Sequence, residues 1–365
     1  MRICQLSTRR DFYGGEVCLA NLARGLRQRG HQTTCVVRPD ARLAPELAAR
    51  GLPVHVLPLR DWYEPVSIAR LAAWLRRERV AILHAHNPRD WFIAAAATVG
   101  TGTVCVGSRH LLRPVAHVAL KRSFLQRLGA MIAVSDAVRV SAAGLVVPER
   151  LVTVPNGIEL ETEEQAGPAL RRELGLAPRQ PVVGCVARLS PEKGLGDLLQ
   201  AVSLLRGRWP QLALILVGEA PAGSGHADDL RRRAAGLGLE DRVHFCGYRR
   251  SAADLCAAFD VHVTSSLAEP CGLATLEAMA RGRPVVATAS GGSPELVDDG
   301  VEGFLVPPGD PVRLAARLDC LLDSEGLRRE MGRRGRARVE RDFGLDLMAE
   351  RTEAVYLEAL ARVPG

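Results

Sequence analysis

Lysine is almost missing from this chain of 365 residues: only two of its 48 basic residues are lysine, Lys121 and Lys193, and the rest are arginine. Arginine therefore serves wherever bulk positive charge is enough. A lysine ammonium is a compact point charge on a flexible stem, and a planar guanidinium does not replace it. Lys193, in the stretch VARLSPEKGLGDLLQAV (186–202), is therefore the first cation to consider for a specific role.

The chain also lacks closely spaced cysteines and long apolar segments. None of its nine cysteines is spaced as C-x-x-C, and most lie in apolar runs, which predicts buried, reduced thiols of a cytosolic protein. The N-terminal apolar run is too short for a signal peptide. The longest uncharged run, Trp91 to Ser108, contains GTGT (100–103) and predicts a helix, a turn and a strand, not a membrane span. We expect a cytoplasmic protein whose membrane contact, if it has any, is peripheral and at the inner face.

Two nucleotide-binding signatures are missing as well. No G-x-G-x-x-G follows the first strand of either predicted domain, and VGEAPAGSGH (217–226) does not end in G-K-[ST], which disfavours a dehydrogenase and a P-loop enzyme. Aromatic residues make up 4% of the chain, too few to suggest stacking platforms for nucleic acid, so no nucleic-acid partner is expected. The net charge of +7 fits an anionic partner and fits solvated arginine-rich helix faces equally well.

The length predicts two domains, because single cores rarely grow beyond about 300 residues. Short apolar runs alternate with helical periodicity in two series, which predicts two doubly wound, Rossmann-like α/β domains, at residues 1–160 and 161–344. Between the series, LVTVPNGIELETEEQAG (151–167) is acidic and loses its periodicity, which predicts a linker. The predicted strands are residues 2–7, 32–38, 53–59, 80–86, 102–108 and 130–135 in the first series, and 181–189, 213–219, 242–248, 261–266, 283–289 and 302–308 in the second.

The strongest constellation follows the strand at 261–266. A loop with Glu269 leads to a helix that begins at Gly272 and contains Glu277. The first N–H groups of a helix have no intrahelical partner and lie at the positive end of its dipole, so they predict a pyrophosphate site. The two carboxylates can accept hydrogen bonds from a sugar and a ribose of one ligand. Two surface glutamates near a helix start fit this spacing equally well. The amides expected to bind are those of Gly272, Leu273 and Ala274.

Two cations are predicted to lie beside that helix. The strand PVVGCVARL (181–189) carries Arg188 near its end, and Lys193 follows five residues later, before the next helix. The carboxyl ends of parallel strands meet at one edge of a sheet, where the two cations can neutralise a diphosphate leaving group. An ordinary charged loop is the alternative, and the scarcity of lysine counts against it.

The first domain has weaker signals. Gly14 and Gly15 predict a turn at which backbone can approach a ligand. His110 follows the strand at 102–108 and is expected to point into a cleft, although a histidine at a strand end is common. His84 and His86 share one face of a strand, where a strand-end or acceptor-side role is favoured over a metal site because no further ligand is evident.

With these motifs the chain resembles the family-4 retaining glycosyltransferases of the GT-B fold over nearly its whole length. The family's paired glutamates and the pattern EAMA.G.PVVAT..GG..E are matched from Glu269 to Glu295. Glu159 replaces the usual Asp after VPNGI, and Cys271 stands where many members have Phe. Further matches are ARLSPEKG (187–194), VPNGI (154–158), GGE (14–16) and SRH (108–110).

The resemblance implies roles for these residues. Arg188 and Lys193 would bind the donor diphosphate, and Glu277 would hold the ribose. Glu269 would contact hydroxyls of the transferred sugar, and His110 would contact that sugar and help to align the acceptor. The expected catalytic residues are therefore His110, Glu269, Arg188 and Lys193. The other expected donor-binding residues are Gly14, Gly15, Gly247, Tyr248, Cys271, Gly272, Leu273, Ala274 and Glu277.

The resemblance also implies an architecture and a mechanism. Two Rossmann-like domains would face each other across a cleft, the first binding the acceptor and the second a nucleotide-sugar donor, with a final helix in 345–365 crossing back to the first. A hexose would move from a UDP- or GDP-sugar by front-face displacement, with the leaving diphosphate assisting deprotonation of the acceptor. No metal or other cofactor is expected.

The acceptor is left open between a glycan and a lipid-linked glycan. The segment RHLLRPVAHVALKRSFLQRLGAM (109–131) is basic and amphipathic, which fits a helix on an anionic membrane and equally a helix with one solvated face. A helix on an anionic membrane would favour a role in lipopolysaccharide or other cell-envelope synthesis. The stretch SRHLLRP also resembles transferases of lipopolysaccharide-core synthesis. Two other functions fit parts of the pattern: a nucleotide-sugar-binding protein without transferase activity, and a UDP-sugar epimerase of similar fold.

Overall fold

Two compact units make up the protein, whose computed structural model describes all residues except 40, 61–63, 115–122, 161–164, 251 and 363–365. The first unit joins residues 1–159 to residues 343–365, and the second comprises residues 160–342. Each unit contains a parallel sheet with helices alternating along the chain, which confirms the predicted α/β fold class.

The sheet of the first unit has seven strands in the order β3-β2-β1-β4-β5-β6-β7, all parallel. Successive residues of β1 enter different apolar clusters, Ile3 on one face of the sheet and Cys4 and Leu6 on the other. Burial on both faces explains why most residues of these strands are apolar, although β1 also buries Gln5 and Ser7. The strands are β1 (Arg2–Ser7), β2 (Gln32–Val37), β3 (Val54–Val56), β4 (Ile82–Ala85), β5 (Val104–Arg109), β6 (Ala130–Ala133) and β7 (Leu151–Thr153).

The helices of the first unit include one from the end of the chain. That helix packs on α1, where Gly25 permits close approach: a Cβ at this position would lie 2.8 Å from the Cβ of Ala349. The helices are α1 (Gly14–Gln28), α2 (Leu43–Ala49), α3 (Pro65–Arg77), α4 (Pro88–Ala97) and α5 (Asp136–Ser141), and the chain-terminal α14 (Leu345–Ala361).

The sheet of the second unit has six parallel strands in the order β10-β9-β8-β11-β12-β13. Its strands are β8 (Val182–Val186), β9 (Ala213–Val217), β10 (Val243–Phe245), β11 (Val261–Thr264), β12 (Val285–Thr288) and β13 (Gly303–Val306). Its helices are α6 (Ala166–Glu173), α7 (Leu195–Leu205), α8 (His226–Gly236), α9 (Ala252–Leu255), α10 (Leu273–Ala280), α11 (Ser293–Leu296), α12 (Pro311–Asp323) and α13 (Glu325–Asp342).

The predicted linker at 151–167 is wrong at both ends. Leu151–Thr153 is the edge strand β7, which pairs with β6, and α6 already begins at Ala166. A strand of three residues is too short to show periodicity in its sequence. β7 is therefore recognised only from its pairing with β6.

The uncharged run from Trp91 to Ser108 is divided as predicted, between α4 and β5. Within the described ranges, no helix is both long and apolar enough to cross a membrane. All nine cysteines are free thiols, and only Cys246 and Cys320 are not buried.

Candidate functional site

Each sheet has one point at which the chain reverses its direction of winding. In the first unit it lies between β1 and β4, and in the second between β8 and β11. At such a point the loops leaving the two central strands diverge to opposite faces and open a crevice at the carboxyl edge, where ligands bind in this class of sheet. The residues predicted to bind a donor follow these central strands.

In the second unit, the loops that leave β8 and β11 are bonded to each other. The β8 loop forms a 3-10 turn, Pro191–Lys193, before α7. Ser265 Oγ donates a hydrogen bond to the carbonyl oxygen of Lys193 over 2.9 Å. The N–H of Leu267 donates to the carbonyl oxygen of Glu192 over 2.8 Å. These two bonds hold Lys193 against the loop that carries Glu269.

Gly194 makes that contact possible. Its φ is +60°, and a Cβ there would lie 2.0 Å from the carbonyl oxygen of Ser265. Both the left-handed backbone and the close approach of the β11 loop therefore exclude a side chain.

Gly194→Ala should lower the free energy of unfolding by about 2–4 kcal/mol, from the positive-φ cost plus the clash. Gly207→Ala is the matched control, because a Cβ at Gly207 would meet nothing within 4 Å. That variant should stay within about 0.5 kcal/mol of the wild type. Urea unfolding of both variants measures the difference, and equal stabilities would show that the loops do not approach as described.

Lys193 and Glu269 form the central pair of this site. The Nζ–Oε2 distance is 2.7 Å, and Ser266 Oγ donates to the same carboxylate oxygen over 2.7 Å. Glu269 is 6% exposed and the Lys193 side chain 21% exposed, so the lysine is the member that a ligand can reach. The ammonium has three protons, so it can keep Glu269 and still donate to an anion.

Arg188 lies in the same loop and has its own acidic partner. Its guanidinium forms an ion pair with Glu192, and its Nε donates to Ser190 Oγ over 3.3 Å. The loop therefore presents two cations, each beside a carboxylate.

A helix start completes the candidate site of the second unit. Gly272 precedes α10 with φ +90°, and a Cβ there would lie 3.2 Å from Leu296 Cδ1. The N–H groups of Leu273 and Ala274 come in the first turn, where no intrahelical carbonyl is available. Cys271, next to the glycine, is buried and is not part of a disulfide.

Glu277 lies in the second turn of α10 and is half-buried. Burial raises its pKa from 4.5 to about 7, an effect that Arg281 opposes and Asp254 reinforces. A carboxyl group held at this pKa is only partly ionised at neutral pH and is costly to ionise without a ligand.

Gly247 and Tyr248 follow β10, at the carboxyl edge of the same sheet but two strands away from β8. Gly247 has φ +64°, and its carbonyl oxygen accepts from the N–H of Gly218 over 2.8 Å. Through this bond the backbones that follow β9 and β10 stay paired for one further contact after the two strands end.

In the first unit, the predicted glycine turn is instead the start of a helix. Gly14 and Gly15 are the first two residues of α1, after the N-cap residue Tyr13. Gly15 faces the histidine after β5: a Cβ there would lie 4.0 Å from Cγ of His110. The structure thus brings together Gly15 and His110, both of which the sequence singles out.

The three histidines at the ends of β4 and β5 are neutral. Burial lowers the pKa of His84 to about 3 and that of His110 to about 4, and it holds the pKa of His86 well below its usual range. Their rings stack in series, with centroids 4.3 Å apart for His84 and His86 and 5.7 Å apart for His86 and His110. Among the described residues, no group of three or more His, Cys, Asp or Glu is arranged to hold a metal.

Comparison with known proteins decides the family. The family described as Glycosyl transferases group 1 matches residues 168–338, and the one described as Glycosyltransferase Family 4 matches residues 12–162. The D-inositol 3-phosphate glycosyltransferase of Acidothermus cellulolyticus is 31% identical over 398 residues, which cover 96% of this chain and 87% of that protein. The chain belongs to the glycosyltransferases.

Solved structures agree with this assignment. The glycosyltransferase superposes on Anabaena HepE, solved in complex with UDP-glucose, with a TM-score of 0.87 and 26% identity over 100% of both chains. It shares its fold with sucrose-phosphate synthase of Thermosynechococcus elongatus, with a TM-score of 0.81 and 22% identity over 100% of both chains. The predicted GT-B fold and transferase class are confirmed.

Sequence reasoning missed several residues that build the glycosyltransferase's site. Glu192 lies between the two predicted cations in the quoted motif, so its charge was a visible signal. Gln5 and Tyr356 bond to the β4 histidines. Tyr356 gave no signal, because it lies on α14, far away in sequence. The amphipathic helix predicted at 109–131 is wrong at both ends, because Arg109 is the buried last residue of β5 and Ala130 and Met131 begin β6. Residues 115–122 of that segment lie outside the described residues.

Glu277→Gln should stabilise the ligand-free protein at alkaline pH. Because the folded-state pKa is raised to about 7, the wild type loses stability as pH rises from 4.5 to 7 and bears the full cost above it. Glutamine does not ionise, so the variant should gain about 1–2 kcal/mol at pH 8 and nothing near pH 4.5. Glu240→Gln, at an exposed position, is the control. Urea unfolding at both pH values measures this, and a difference that does not depend on pH would contradict it.

Proposed function

We propose that this glycosyltransferase moves a hexose from a UDP-sugar, with the donor diphosphate bound beside Lys193. One observation carries the proposal: Lys193, paired with Glu269, lies at the winding reversal of the second sheet, beside the start of α10. A point charge and free helix amides at one place suit a diphosphate, and the adjacent carboxylate suits sugar hydroxyls.

The residue roles follow the chemistry of each group. Lys193 and Arg188 would neutralise the charge that develops on the leaving diphosphate, together with the amides of Leu273 and Ala274. Glu269 would accept hydrogen bonds from the transferred sugar. Glu277, Gly247 and Tyr248 remain the predicted contacts of the nucleoside, and Gly14, Gly15 and His110 remain the predicted contacts from the first unit.

We propose retention of configuration by front-face displacement. The acceptor oxygen forms a bond to the anomeric carbon while the bond from that carbon to the phosphate oxygen breaks. The acceptor proton passes to the leaving phosphate oxygen. The two cations with the helix dipole would supply the electrostatic stabilisation, and no metal is invoked in this proposal. The anomeric configuration of the product, read by NMR against that of the donor, tests this step.

The nucleotide is proposed from similarity to HepE, whose structures hold UDP and UDP-glucose. A thermal-shift panel of UDP-, GDP- and ADP-sugars tests it, because a ligand that binds only the folded state raises the melting temperature. We expect the UDP-sugars to give the largest shift. A panel in which no sugar nucleotide shifts the wild type would overturn the proposal, and a larger shift with GDP-sugars would change the donor alone.

For the acceptor, we propose a hydroxyl of a glycan or lipid-linked glycan of the cell envelope, reached by an enzyme at the inner face of the membrane. The basic segment 109–131 motivates this proposal. A polyol phosphate is the second candidate, because the relative with 31% identity is named for D-inositol 3-phosphate. Co-sedimentation with anionic vesicles at low salt, and mass spectrometry of products from both acceptor classes, distinguish the two. Transfer to inositol phosphate without vesicle binding would exclude the membrane interpretation.

A further inference from the structure

A chain of buried side chains connects the C-terminal helix to His110 within the first unit. It begins at Tyr356 on α14, whose Oη lies 2.6 Å from Nδ1 of His84 and accepts from Gln5 Nε2 over 3.3 Å. Gln5 Oε1 lies 2.6 Å from Nε2 of His86. His86 Nδ1 lies 3.4 Å from Nε2 of His110.

The donors and acceptors in this chain have one direction. Tyr356 accepts from Gln5, and we assign its single hydroxyl proton to His84 Nδ1. That leaves Nε2–H of His84 to donate to Ser108 Oγ over 2.8 Å. With its amide nitrogen on Tyr356, Gln5 turns its carbonyl oxygen to His86, so Nε2 of His86 carries the proton.

The same direction continues to His110. His86, protonated on Nε2 and neutral, has an acceptor at Nδ1, so Nε2 of His110 is the nitrogen that donates. Nδ1 of His110 then carries a lone pair. This atom is buried and has no hydrogen-bond partner among the described residues. His110 also lines a small cavity with Asn156 and Thr352.

We propose that Tyr356 and Gln5 are positioning residues that fix His110 as the Nε2–H tautomer through His86. The inference rests on the proposed function only in taking His110 as a substrate contact. In this tautomer the buried Nδ1 of His110 has a lone pair without a partner among the described residues, and that lone pair would accept a hydrogen bond from a sugar or acceptor hydroxyl. Because the groups that bond to a histidine set its tautomer and orientation, a tyrosine that touches no substrate can affect turnover.

The direct test is the ring ¹⁵N spectrum of the full chain labelled at histidine, with His110 assigned by loss of its signals in His110→Gln. We expect one neutral tautomer for wild-type His110, protonated on Nε2. Tyr356→Phe keeps the ring but removes the hydroxyl. In this variant, and in Gln5→Leu, both neutral tautomers of His110 should be populated. A wild-type His110 protonated on Nδ1, or an unchanged tautomer in a folded variant, would overturn the proposal.

Kinetics give the second measurement. Tyr356→Phe should lower kcat about 10-fold with little change in the donor KM, because orientation acts on the transition state. Leu357→Ala, at the exposed position next to Tyr356 on α14, is the control and should keep wild-type activity. If no sugar nucleotide is turned over, the proposed function fails while the spectrum still decides the tautomer. If Tyr356→Phe does not fold, the wild-type spectrum and Gln5→Leu decide it.

Discussion

Replacing Lys193 by alanine should lower kcat/KM by about 10²–10³-fold, because a preorganised charge aimed at the leaving group is typically worth about 3–4 kcal/mol. The stability cost should be smaller. Glu269 keeps its bond from Ser266 Oγ, so its carboxylate does not lose every partner. Steady-state kinetics with saturating acceptor, and urea unfolding of the same preparation, measure the two effects separately.

Two variants sharpen this test. Lys193→Arg keeps the charge but replaces the compact ammonium by a planar fork, so we expect only partial recovery of activity. Arg208→Ala removes an exposed cation that pairs with Asp319 and Asp323 on the surface of the same unit. It should leave kcat/KM unchanged, because Arg208 lies outside the β8 and β11 loops. The free energy of unfolding should also change little, since exposed ion pairs contribute little to stability. A Lys193→Ala enzyme that matches Arg208→Ala would refute the diphosphate role.

Glu269→Gln should reduce kcat by about 10²-fold. Glutamine has nearly the same shape and can still accept from Ser266, but it removes the negative charge that holds Lys193 and that, in the proposed mechanism, accepts from sugar hydroxyls. A hydrogen bond to a charged group contributes about 1.5–3 kcal/mol. The unfolding free energy should change by less than the activity does, because Lys193 is partly exposed and can be solvated.

The double variant Lys193→Ala/Glu269→Gln should be less impaired than two independent losses would make it. The effects of substituting residues in one network do not add, and a double-mutant cycle of these variants measures the coupling energy directly. We expect the double variant to lie within about 10-fold of the worse single variant. Losses that multiply in full would indicate two groups acting separately.

The sequence was informative where chemistry and spacing coincide. The scarcity of lysine singles out Lys193 among many cations. Its Nζ lies 2.7 Å from Oε2 of Glu269, which the loop before α10 carries. The strands are predictable because burial on both faces makes most of their residues apolar. The left-handed conformation of Gly272 also agrees with a glycine just before a predicted helix.

Other features depend on contacts that no local pattern carries. Tyr356 lies 272 residues from His84, so only the folded chain brings them together. The edge strand β7 is defined by its pairing with β6 and is too short to show a period. Gly14 and Gly15 predict a turn before the helix, but α1 already begins at Gly14, after the N-cap residue Tyr13.

The most direct test of the central claim is calorimetric titration of UDP into the full chain, comparing wild type, Lys193→Ala and Arg208→Ala. The account predicts one UDP site in the wild type, the same affinity in Arg208→Ala, and an affinity at least about 10-fold weaker in Lys193→Ala, a loss of about 1.4 kcal/mol. Equal binding of UDP by wild type and Lys193→Ala would contradict the assignment of the donor diphosphate to this loop.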